Sequence, residues 1–144
     1  MLFPEIDQQQ TKRNVSDFFR SDYPRLKRLA GYSNLLGSPH LDGMPKAKNR
    51  RNPDDGFIDH ASYAELFKAV TAAIKLCKPE SQLIIKEREI QGLPLYKVAA
   101  DIGISGSALY RERLNVCIEI ADNLLTETSK LGPKNIIDLH AYKN

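Results

Sequence analysis

Long apolar runs are missing from this chain. No stretch approaches the ~20 residues that a bilayer-spanning helix needs, which excludes a helical membrane protein. The opening MLFPEIDQQQ lacks a basic segment followed by an apolar one. A secretory leader is therefore not expected, and the chain should stay in the cytoplasm of the cell that makes it. Cysteine is scarce: Cys77 and Cys117 both fall in apolar helical patterns. There they suit small buried hydrophobes better than a disulfide or a metal pair. His40, His60 and His140 lie far apart, with no ligand spacing, so neither a metal nor another cofactor is expected. No Ser/His/Asp order, carboxylate pair or phosphate-cradling glycine loop is present, and Asp54-Asp55 stands alone in a loop-like stretch. An enzyme is the least expected class.

A strong charge of one sign is lacking too. The net charge is +3, and charged residues make up 27% of the chain. Its distribution is more informative: residues 1–56 hold 10 Lys and Arg against 7 Asp and Glu, whereas the remainder is balanced, 11 against 11. The excess cation thus belongs to the front of the chain. A length of 144 residues allows one or at most two domains with a modest core.

What is present is helical periodicity, and it predicts an all-α protein in four parts. A helical N-terminal segment covers residues 1–31, where Asp7 caps a first helix running to about Phe19. A turn at Ser21-Asp22 then leads through Pro24 into a second helix that Gly31 stops. In that helix Leu26 and Leu29 face inward, while Arg25, Lys27 and Arg28 reach solvent or phosphate. Residues 32–56 read as a flexible basic linker. The stretch from Gly31 to Gly56 holds four Gly and three Pro, and Lys46, Lys48, Arg50 and Arg51 fall within six residues of it. It is either a plain tether or an arm that tracks the DNA backbone. Residues 57–130 form a helical bundle, and residues 131–144 an extension whose IIDLHAY segment has no assigned structure.

Within the bundle, Ile58, Ala61, Leu66, Phe67, Val70, Ala73, Ile74 and Cys77 make a broad stripe for a helix over 57–77. Pro79 opens another helix that ends at Gly92, with Leu83, Ile84 and Ile90 as its core contacts. The stretch LYKVAADIGISGSALYRERL, residues 95–114, then reads as a helix-turn-helix. Val98 and Ile102 share one face of a short helix, and small Ala99 permits a close helix crossing. Gly103 supplies the positive φ that ends it, Ile104 packs into the crook, and Ser105 caps a long second helix to about Thr128.

That motif points to double-stranded DNA as the partner. The first N–H groups of the second helix, around Ser105 and Gly106, offer a seat for phosphate, and Ser105 and Ser107 add hydroxyls. Tyr110 and Arg111 lie one turn further on, and Arg111 is placed for a bidentate contact to guanine. Lys97 and Arg113 are expected as backbone clamps that position without specifying. With so few base-reading side chains one copy should bind weakly. A homodimer on paired half-sites, or contact with RNA polymerase, would remedy that.

Three segments in this order, YPRLKRLAG at 23–31, SPHLDGMPKAK at 38–48 and the terminal motif, resemble the ArpU family of phage transcriptional regulators, found mostly in prophages of Gram-positive bacteria. The resemblance covers roughly residues 2–126. From Pro79 onward the chain also resembles sigma-factor region 4, in which a helix precedes the motif. The resemblance implies a regulator, most simply an activator, of late phage genes for lysis, packaging or morphogenesis, acting in the bacterial cytoplasm. Two positions depart from the usual pattern. Glu112 stands where the second helix ordinarily has an apolar residue, with Leu114 two later, which predicts a rotated or loosened packing of that helix. Gly106 replaces a polar or basic side chain. Two other functions fit a helical chain of this kind: a small terminase subunit that recognises packaging sites, and an adaptor that binds a polymerase or sigma subunit without reading DNA.

Overall fold

A computed structural model describes residues 2–36 and 60–143 of the chain. The cations Lys46, Lys48, Arg50 and Arg51 and the expected linker around them lie outside those residues, apart from the backbone of 32–36. Among the described residues the fold is all-α, with no strand beyond one isolated bridge. In chain order the helices are α1 (Gln8–Asp17), α2 (Tyr23–Leu36), α3 (His60–Lys75), α4 (Pro79–Ile84), α5 (Leu95–Ile102) and α6 (Gly106–Ser129).

Asp7 caps α1 as expected: its Oδ1 accepts the Gln10 N–H at 3.0 Å. The expected turn at Ser21-Asp22 is absent. A π-helical turn, Phe18–Asp22, joins α1 to α2 instead. Tyr23 N–H reaches back five residues to Phe18 O, so the wider turn absorbs the extra residue without leaving helical geometry. This also accommodates Pro24, which has no N–H to give and would crowd the carbonyl four residues earlier in a regular helix. Edge-to-face packing of Phe18 on Phe19 (5.1 Å between centroids), followed by Tyr23 and Phe67, fastens the turn to α3.

Gly31 does not stop α2, which continues to Leu36. A glycine within a helix costs about 1 kcal/mol relative to alanine. The burial of Leu26 and Ala30 along the α2–α3 contact offsets that cost, so tertiary packing overrides the local signal. Arg25, Lys27 and Arg28 are exposed.

α3 buries the predicted stripe at Leu66, Val70, Ala73 and Cys77, with Phe67 and Ile74 partly covered. Ile58 lies outside the described residues, as does the Ala61 side chain. Pro79 sits in the first turn of α4 as predicted, and a second π-helical turn, Ile85–Ile90, extends it toward Gly92 at φ 70°. Ile84 and Ile85 are its fully buried residues, while Leu83 and Ile90 are only partly covered. The α3–α4 corner is capped from a distance. Glu119 of α6 accepts Lys78 N–H (2.9 Å) and Ser81 Oγ–H (2.7 Å), and Gln82 donates to the carbonyls of Lys75 and Cys77.

The N-terminal segment and the bundle share one core: Val15, Phe18, Phe19 and Leu26 belong to the same apolar cluster as Val70, Ile84, Val98, Leu109 and Ile120. Cys77 and Cys117 are free and buried in it, as expected of small hydrophobes. Burial, followed by the Glu119 carboxylate, pushes the Cys77 thiol up to about 11. Burial and Glu89 push Cys117 to about 12. Both therefore stay protonated and weakly nucleophilic at neutral pH.

After a short 3₁₀ turn, Pro133–Asn135, the C-terminal extension runs back across α1 as a strap. Asp7 N–H donates to Ala141 O (2.8 Å), Lys143 N–H to Glu5 O (3.0 Å), Asn14 to Leu139 O (3.0 Å), and Ala141 N–H to the buried Thr11 hydroxyl (3.0 Å). Both ring nitrogens of His140 face carboxylates, Asp138 at 2.6 Å and Asp122 of α6 at 2.7 Å.

Candidate nucleic-acid interface

The glycine corner forms as its residues predict. α5 buries Val98 and Ala99, and Gly103 adopts φ 87° just past its end. The N–H groups of Gly103 and Ile104 both donate to Ala99 O, at 2.8 and 3.1 Å, closing the last turn. Ile104, like Ile102, is partly buried and packs against the core. Ser105 then caps α6, its Oγ accepting Ala108 N–H at 3.1 Å.

Leu109 is 1% exposed and anchors the first turns of α6 in the core. The opposite side of those turns is open: Ser105, Gly106, Ser107 and Arg111 are exposed, and Tyr110 is 51% exposed. The amides of Gly106 and Ser107 precede the first intrahelical bond, from Leu109 N–H to Ser105 O at 3.0 Å. The positive end of a 24-residue helix dipole therefore meets solvent beside two hydroxyls, a phenol and a guanidinium.

Arg113 stands elsewhere. It was expected to clamp a phosphate, but its side chain is buried and committed. Its Nε and Nη2 both donate to Glu89 Oε2, at 3.1 and 2.9 Å, and Nη2 also donates to Ser16 Oγ at 3.3 Å. Ser16 Oγ–H in turn reaches Glu89 Oε1 at 3.2 Å. The inward stripe of α6 runs through 109, 113, 116 and 117, 120 and 121, and 124, so Arg113 occupies a core position. Glu112 and Leu114 are each half-buried at its flanks. An arginine balanced by Glu89 thus fills the place an apolar residue would ordinarily take.

Lys97 is exposed, and its Nζ lies 3.8 Å from Asp101 one turn on, which offsets its charge. Burial and the Asp101 carboxylate push the nearby Glu87 carboxyl up, a further sign of acidic crowding there. The cation at the reading edge that sequence reasoning missed is Lys12 of α1, whose Nζ lies 5.1 Å from the centre of the Tyr110 ring. Tyr96 was also overlooked and is 77% exposed on α5. Lys12 carried no signal, because nothing local indicates that α1 lies beside residue 110. Among the described residues no group of three or more His, Cys, Asp or Glu could hold a metal ion, and no helix is long and apolar enough to cross a membrane.

The chain matches no family model, no curated protein and no solved structure.

Proposed function

We propose that this protein is a DNA-binding transcriptional regulator that presents the start of α6 to the major groove. The observation carrying this reading is the outward edge formed by Ser105, Ser107, Tyr110 and Arg111 on a helix anchored from behind by Leu109. A helix held this way can enter a groove without giving up its core contacts. The exposed amides and Ser107 address phosphate, and the free Arg111 fork addresses guanine O6 and N7. Resemblance to ArpU regulators supports late phage genes as the targets, with RNA polymerase or a second copy of the chain adding affinity. Selection of bound duplexes from a random pool, followed by gel shift on the enriched sequence, tests this. Arg111→Ala should weaken specific binding by roughly 1–3 kcal/mol and relax preference at one base pair. Failure of the wild-type protein to enrich any duplex sinks the reading, and an Arg111→Ala protein binding as well as wild type removes Arg111 from it.

A further inference from the structure

The first turn of α6 is poor in cations. Gly106, Ser107 and Ala108 carry none, Lys97 is offset by Asp101, and Arg113 is sealed inside. Among the described residues of the two motif helices that leaves Arg111 as the cation on the edge, although phosphate neutralisation dominates duplex affinity. α1 supplies what is missing. It packs along α6, with Val15 in the core and Ser16 tied to both Glu89 and Arg113. One turn before Ser16, Lys12 projects along the same side and sets its ammonium against the half-exposed Tyr110 ring. Among the described residues no ion pair includes Lys12. Lys12 is itself half-buried, so α1 and Tyr110 fix where that charge sits.

We propose that α1 is a third element of the duplex-binding surface, in which Lys12 contacts the phosphate backbone flanking the groove that receives Tyr110 and Arg111. This rests on the DNA-binding reading above and adds to it a contact from outside the two motif helices. The Ser16–Glu89–Arg113 triangle holds α1 against the reading helix, so the cation and the reading edge dock as one rigid surface.

Equilibrium binding to a labelled random-sequence duplex, followed by anisotropy across a salt series, tests the proposal. Lys12→Met keeps the aliphatic stem on Tyr110 and removes the charge, and thermal melting checks that it folds. It should reduce the slope of log K against log salt by about 0.9, one phosphate contact, while Lys12→Arg restores the wild-type slope. Lys134→Gln serves as the control, because residue 134 follows the far end of α6, a helix about 36 Å long. Its slope should equal that of wild type. A wild-type slope for Lys12→Met, alongside weakened binding by Arg111→Ala, overturns this inference and leaves the DNA-binding reading standing. An equal slope change in Lys134→Gln also overturns it, since the effect would then be one of net charge. If the wild-type protein binds no duplex even at low salt, both fall.

Discussion

Arg111 and Arg113 are two residues apart on one helix and meet opposite fates. Two steps along an α-helix rotate a side chain by roughly 200°, so one guanidinium faces out as the other faces in. The inward one survives burial because Glu89 Oε2 accepts from both its Nε and its Nη2 and the Ser16 hydroxyl accepts from Nη2 as well. Side-chain exposures of 9% for Arg113 and 4% for Glu89 put the pair beyond the screening that weakens surface bridges. Arg113→Ala should therefore destabilise the fold by about 3–5 kcal/mol, because it strands a buried carboxylate. The double variant Glu89→Leu/Arg113→Met should recover most of that loss in chemical denaturation. An Arg113→Ala protein as stable as wild type would mean that Glu89 finds water or another partner.

At the scale of elements, the N-terminal half is a lesson in punctuation overridden by packing. Ser21-Asp22 reads as a turn, Pro24 as the start of a new helix and Gly31 as a stop, yet helical geometry persists from Gln8 to Leu36. The π-helical turn supplies the slack for Pro24, and the Phe18, Phe19, Tyr23 and Phe67 rings hold it in place. Gly31 has no positive φ, and a Cβ added there meets nothing within 4 Å. Gly31→Ala should accordingly raise stability by about 0.5–1 kcal/mol, read as an increase in Tm. A decrease would show that α2 ends near Gly31 in solution.

At the scale of the molecule, the two termini are laced together through the strap, and His140 is its titratable clasp. Burial alone would lower the His140 pKa, but hydrogen bonds and charge from Asp138 and Asp122 outweigh it and raise the net value. For Asp138, burial raises the carboxyl, yet contacts with His140 and Tyr142 bring it below its usual range. The two shifts define a window. The His140 contribution is full below about pH 6.5 and is lost as pH rises through the elevated folded value. The Asp138 contribution is full above about pH 4 and is lost as pH falls through the depressed one. The strap should hold best between those limits. The stability gap between wild type and His140→Gln should then narrow as pH is raised from about 6 toward 9. A gap that stays constant over that range would show that His140 holds the strap without its charge.

The sequence by itself determined the all-α class, the Asp7 and Ser105 caps, the Pro79 start, the Gly103 corner and the apolar stripe of α3. Each rests on a residue's own backbone preference or on helical spacing, and both are local properties. Only the tertiary structure decided that α1 and α2 form one helical run, that Arg113 belongs to the core, and that Lys12 stands beside Tyr110. Those outcomes depend on which distant groups meet: Glu89 and Ser16 around a guanidinium, aromatic rings around a π-helical turn, a strap drawn across α1. Contact energies between residues 24 to 130 positions apart are written into no single stretch of chain.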